Sequence, residues 1–240
     1  MKIKKHYSAI LFDLDGTLLP MDMEAFTKGY FAKLYKRMKD FDISLEDFTK
    51  AIWTGTYAMM KNDGSHTNAE VFWKVFEDVT GLKASLVDPL CISFYGEEFN
   101  EAIEFTLPNP LAKDAVRIAH KKAERVVLST NPIFPEVGQK TRLSWLGLSY
   151  DDFDLVTSYE NERFCKPNPQ YFLSILERFG LKKEEVLIIG NDEKEDCNCA
   201  RNAGIDCYLV TDTMIPSRDY PWDGPRGTFR ELVDLLEQLE

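Results

Sequence analysis

Between residues 111 and 211 the chain alternates helix and strand with little else. Helical periodicity over 111–123, 133–146, 167–179 and 194–203 is interleaved with short apolar runs at 125–129, 153–157, 185–189 and 206–211. Strands separated by helical crossovers cannot return as hairpins, so they line up parallel in one sheet whose two faces the helices cover. The run SAILF at 8–12 belongs to the same sheet: it is short, apolar and followed directly by a polar turn, the profile of a strand buried on both sides. The pattern defines an α/β fold with a Rossmann-like parallel sheet.

The first strand is separated from the others by a stretch of a different kind. Phe26, Tyr30 and Leu34, then Leu45, Phe48 and Ile52, recur at three- and four-residue steps that place them on one helical face. Thr67 and Glu70 form a capping box that opens a third helix through Val71, Val75 and Val79. A fourth helix starts near Pro89 and carries Leu90, Phe94, Phe99 and Ile103. The aromatic stripe along these helices reads as the core of an all-helical unit. Because that unit sits between the first strand and the rest, it is inserted into the α/β core rather than appended to it. The expected division is 1–20 with 107–240 for the core and 21–106 for the helical insert. The Pro- and Gly-rich stretch 216–227 reads as a surface loop before a last helix at 229–239.

With 29 Lys and Arg against 40 Asp and Glu, the net charge is -11. That leaves little long-range attraction for phosphate backbones or anionic lipid, so neither a nucleic acid nor a membrane is an expected partner. No apolar stretch approaches the ~20 residues of a membrane span. The basic start, 1–7, is followed by an apolar run that Asp13 and Asp15 cut short, which is the pattern of a strand and not of a targeting segment. Five cysteines without regular spacing fit reduced thiols and a cytoplasmic protein. Cys197 and Cys199, two apart on a helix, point to nearly opposite sides and make no metal site. A monomer or a homodimer is expected.

In an open parallel sheet, ligands bind at the carboxyl ends of the strands. Four strands here end in polar residues: Asp13 and Asp15 after the first, Thr130 and Asn131 after the second, Lys166 after the third, and Asn191 and Asp192, with Asp196 beyond, after the fourth. Together they gather carboxylates, a hydroxyl and an ammonium at one edge, a set suited to a metal-bound phosphoryl group.

AILFDLDGTLL at 9–19 resembles the nucleophile motif of the haloacid dehalogenase-like superfamily. VVLSTN at 126–131 resembles its second motif, CKPNPQYF at 165–172 its lysine motif, and IIGNDEKEDCNCARNAG at 189–204 its acidic motif. The insert matches the position of the family's helical cap. The resemblance implies a Mg²⁺-dependent phosphatase in which Asp13 is the nucleophile and Asp15 the general acid and base. Thr130 would bind a phosphoryl oxygen, helped by N–H groups at the start of the next helix. Lys166 would neutralise charge on the nucleophile and the phosphoryl group, and Thr17 would brace the loop. Asn131 is left between phosphate contact and turn formation. Asp13, the Asp15 carbonyl and Asp192 would hold the Mg²⁺.

The acidic motif departs from the common pattern, because Gly190 is followed by Asn191 and only then by Asp192. A four-residue spacing to Asp196 favours Asp192 as the ligand; the family's five-residue spacing would put Asn191 there. The expected activity is hydrolysis of a small phosphorylated metabolite. The alternatives are phosphomutase-type transfer and a non-catalytic regulatory relative, while Asp15 argues against a dehalogenase. The loop 62–66 and the segment 19–26 are positional candidates for substrate contact, the loop with turn formation as its stronger reading.

Overall fold

The computed structural model describes residues 3–4 and 6–240. Six strands form one sheet: β1 (Ala9–Phe12), β2 (Arg125–Leu128), β3 (Leu155–Val156), β4 (Val186–Gly190), β5 (Asp206–Val210) and β6 (Arg226–Gly227), in the order β3-β2-β1-β4-β5-β6. Every pairing is parallel, as the alternating pattern requires. β1 lies in the middle, with Ile10 opposite Val126 on one side and Leu187 on the other. Its residues divide by the two-residue period of a strand. Ile10 and Phe12 pack into the apolar layer beneath α5 (Ala112–Lys122) and α9 (Phe229–Gln238), whereas Ala9 and Leu11 join the layer beneath α7 (Gln170–Phe179) and α8 (Cys199–Ala203). The strand order reverses between β1 and β4, so a crevice opens at their carboxyl ends.

The insert is helical, with α1 (Met23–Lys36), α2 (Leu45–Met60), α3 (Asn68–Thr80) and α4 (Ala84–Gly96) closed by a 3₁₀ segment, Glu98–Phe105. The capping box at Thr67 and Glu70 is formed. Phe26, Phe48, Phe76, Phe94 and Phe99 are fully or almost fully buried in a second apolar cluster, which Phe134, Tyr159 and Cys165 of the core also join. The chain enters and leaves the insert side by side: Asp22 N–H donates to Phe105 O, and Leu107 N–H donates to Pro20 O.

Several elements differ from the sequence reading. α4 begins at Ala84 and contains Pro89 instead of starting there; one lost backbone bond is outweighed by the burial of Val87, Cys91 and Phe94. That helix ends at Gly96, and Phe99 and Ile103 sit on the tighter 3₁₀ segment. α6 (Glu136–Trp145) starts after Pro135, later than the expected 133. The stretch 216–227 is not all surface loop, since it ends in β6 and buries Trp222; two paired residues at a sheet edge leave no periodic trace.

Ile188 at the centre of β4 has no exposed surface. Its replacement by alanine should cost about 2–5 kcal/mol in urea unfolding, the range for a buried aliphatic cut to a methyl group. A loss under ~1 kcal/mol would show that this strand is not close-packed.

Candidate active site

The turn after β1 is shaped by Gly16. Its φ of +84° lies in the left-handed region, and a Cβ there would come within 2.2 Å of Asn191 Nδ2, so both the turn and its neighbour demand glycine. The turn brings Asp13 and Asp15 to the crevice. Asp13 Oδ1 accepts from Lys166 Nζ at 2.8 Å, and Asp13 Oδ2 accepts from Thr17 Oγ1 at 3.0 Å. The brace expected of Thr17 is therefore present. Lys166 is 1% exposed and also donates to Asp196 Oδ1 at 2.6 Å. Asp196 Oδ2 in turn accepts the N–H groups of Asn191 and Asp192, each at 3.0 Å. Burial raises the Asp13 carboxyl against the pull of Lys166. Burial also works against the Lys166 ammonium, yet Asp13 and Asp196 hold its pKa well above the ordinary lysine value.

Thr130 is buried on the cavity wall, its carbonyl held by Thr157 Oγ1 and Tyr171 Oη. The N–H groups of the following helix lie further along the chain than expected, because α6 begins at Glu136. Asn131 donates from Nδ2 to Glu195 Oε2 at 2.9 Å and accepts at Oδ1 from Lys166 N at 3.2 Å. It thus ties three loops together, a bracing role neither of its two expected readings named.

The two candidate ligands of the acidic motif, Asn191 and Asp192, are held differently. Thr17 Oγ1, which bonds Asp13, also donates to Asn191 Oδ1 at 3.1 Å, so the Asn191 amide oxygen lies beside the Asp13 carboxylate. Asp192 instead turns Oδ1 back to accept from Lys194 N and Glu195 N. The residues between are wound as a π-turn, Glu193–Asn198. A π-turn absorbs one extra residue, which is how the five-residue spacing from Asn191 to Asp196 fits where four would suffice.

Arg142, on α6, was missed at the sequence level. It is fully buried, pairs with Asp15 Oδ2 and Gln139 Oε1, and stacks over Phe134 with Cζ 4.1 Å from the ring centroid. Its signal was a charged side chain in step with Gln139 and Leu146 on the inward face of that helix. Asp15 lines the cavity, and its Oδ1 is buried with no hydrogen-bond partner.

That cavity, of about 350 Å³, lies between the sheet edge and the insert. Asp13, Asp15, Thr130, Asn131, Lys166, Asn191 and Asp192 all line it. From the segment 19–26, Met23 and Phe26 reach it, and the insert's aromatic stripe, read as core, proves to be both core and wall. The loop 62–66 does not line it; Arg163 holds the Gly64 and Ser65 carbonyls, and Gly64 packs on Phe164.

Among the described residues no three His, Cys, Asp or Glu side chains converge on a metal position. A cation here would draw instead on mixed oxygens: the Asp13 carboxylate, the Asn191 amide and the Asp15 carbonyl, to which none of the turn's backbone hydrogen bonds among the described residues runs. Hard, few and partly neutral oxygens suit Mg²⁺, which keeps several waters.

Residues 7–204 match the family model of the haloacid dehalogenase-like hydrolases. The chain belongs to that family. A glyceraldehyde 3-phosphate phosphatase from Methanothermobacter thermautotrophicus is 26% identical, aligned over 97% of each chain. A phospholysine phosphohistidine inorganic pyrophosphate phosphatase from Xenopus laevis is 29% identical over 88% of this chain and 76% of its own. Among solved structures, a HAD phosphatase from Thermococcus onnurineus superposes with a TM-score of 0.60 at 20% identity, covering 95% of this chain and 97% of that one. The Bacillus subtilis HAD-hydrolase YfnB bound to magnesium gives 0.58 at 22%, over 97% and 99%. No helix among the described residues is long and apolar enough to cross a membrane.

Removing one partner of a buried ion pair strands the other. Arg142→Ala should therefore cost about 3–5 kcal/mol in stability, and adding Asp15→Asn should return part of it. A double variant as unstable as the sum of the two singles would mean the pair is not coupled.

Proposed function

We propose that this phosphatase is a Mg²⁺-dependent hydrolase of small phosphomonoesters that works through a phosphoryl-enzyme intermediate on Asp13. The observation that carries the reading is the Asp13 carboxylate, fixed by Lys166 and Thr17 at the sheet edge and lining the cavity together with Asp15. A carboxylate needs no deprotonation to attack phosphorus. As the Asp13–phosphorus bond forms and the ester P–O bond breaks, Asp15 gives the leaving oxygen its proton. Water then gives a proton back to Asp15 and attacks the same phosphorus, releasing phosphate and restoring Asp13. Asp15 Oδ1 is the oxygen free for this exchange, since Oδ2 is engaged by Arg142. Lys166 offsets charge at Asp13 and on the transferring group, and Thr130 donates to a phosphoryl oxygen.

Mg²⁺, when bound, neutralises phosphoryl charge and orients the group for attack. Asp13 and the Asp15 carbonyl would hold it, with Asn191 Oδ1 as third oxygen in the place first assigned to Asp192. The insert serves as a cap, hinged where the chain crosses near 19–21 and 106–109, that closes water out during the first transfer. All five cysteines are free and buried, which supports a reducing compartment such as the cytoplasm.

Asp13→Asn keeps the shape and deletes the nucleophile, so turnover of acetyl phosphate should fall at least ~1000-fold while the chain still unfolds in one cooperative transition. Residual activity above a tenth of wild type would exclude the role. The metal assignment is read by titrating Mg²⁺ calorimetrically and against activity. Asn191→Asp adds a full charge and should tighten binding, whereas Asp192→Asn should change it by less than about threefold. The reverse ranking would return the ligand to Asp192.

A further inference from the structure

Away from the catalytic edge, the cavity wall is unlike a sugar site. None of the lining residues contributed by the insert carries a charge or a side-chain amide. The wall is built from large apolar side chains, among them Phe31, Ile52, Trp53, Met60, Phe72 and Trp73. Of the two threonines in it, Thr56 has its hydroxyl bonded to Ile52 O at 2.9 Å within its own helix. From the core side Ile133, Phe134 and Ile215 add further apolar surface. Trp53, with ring centroid 5.6 Å from Phe31, stays 53% exposed although it borders the cavity.

We propose that the substrate is a phosphomonoester whose alcohol half is an uncharged hydrocarbon, an aromatic ring or a medium-length chain, held by this wall while the phosphoryl group meets Asp13. The inference rests on the phosphatase reading and adds to it the substrate class. Beyond Thr27, Tyr30, Tyr95 and Tyr159, which bring hydroxyls to the lining, a polyhydroxylated body would face mostly rings and methyl groups. Each buried hydroxyl without a partner weakens binding on the order of ten- to a hundredfold. A hydrocarbon body loses nothing there and gains about fourfold per buried methylene. Aromatic bodies gain further from edge and face contacts with the rings. A volume near 350 Å³ lies within the range of small-molecule sites and leaves room beyond the phosphoryl group.

The test is a panel of kcat/KM values on the full chain with Mg²⁺. Acetyl phosphate serves as the control whose leaving group is too small to reach the wall, ethyl, butyl and hexyl phosphate form the series, and glycerol 3-phosphate and glucose 6-phosphate are the polar competitors. The expected result is a rise of up to about fourfold per added methylene, hexyl phosphate at least ~100-fold above glucose 6-phosphate, and loss of all turnover in Asp13→Asn. Trp53→Ala should flatten the hexyl-to-ethyl ratio at least fivefold, and Trp53→Phe should keep most of it. Asp13-dependent turnover of acetyl phosphate with a flat or falling alkyl series, or with a sugar phosphate preferred, overturns the substrate class and leaves the phosphatase reading standing. A Trp53→Ala variant with the wild-type ratio also overturns it. No Asp13-dependent turnover of any compound overturns the phosphatase reading, and the substrate class falls with it.

Discussion

Lys166 has almost no contact with water: its ammonium is sealed between Asp13 at the end of β1 and Asp196 in the turn after β4. A lone buried ammonium is costly enough that it would deprotonate or leave, so the two carboxylates must be where they are for the loop carrying Lys166 to stay. The constraint spreads outward. Asp196 can reach Lys166 with one oxygen only because its other oxygen holds the Asn191 and Asp192 N–H groups, and because Gly190 has no Cβ, which would lie 2.2 Å from the Asp196 carboxyl carbon. Three strand ends are thus tied to one cation. With both carboxylates ionised the trio carries one surplus negative charge, which suits a divalent cation arriving with a phosphate ester.

The acid–base side of the site depends on a second buried cation. Arg142 grips Asp15 from α6 and stacks on Phe134, which is in turn 5.7 Å from the Tyr30 ring of the insert. α6 is also bonded to the insert directly, through Thr141 Oγ1 and the Tyr95 carbonyl. Asp15 is therefore connected by contiguous packing to the same aromatic wall that would touch the body of a substrate. A change of wall contacts on binding has a short physical route to the carboxylate proposed to move protons.

The sheet was legible because buried parallel strands such as 8–12 and 185–189 are continuous apolar runs with helices between them, and little else produces that alternation. Asp13, Asp15, Thr130, Lys166 and Asp196 were legible because sheet topology carries strand ends to one edge whatever the details of the loops. The rest depended on three-dimensional facts with no sequence period. Whether Asn191 or Asp192 faces Asp13 turns on a π-turn that shifts the register by one residue. Arg142 looks like any helical arginine until its helix is packed with that face inward. The stripe through Phe26 and Tyr30 has the spacing of a core, and periodicity alone does not distinguish a side chain that fills a core from one that also walls a cavity.

The central claim is that Asp13 carries the phosphoryl group, and rapid acid quench of a single turnover tests it most directly. With enzyme in excess over ³²P-labelled acetyl phosphate and Mg²⁺ present, protein-bound label should appear before free phosphate and decay as phosphate is released. Digestion should place it on the peptide containing Asp13, and Asp15→Asn should prolong its lifetime. Turnover at the wild-type rate with no label on the protein, or with label on a peptide lacking Asp13, would contradict the account.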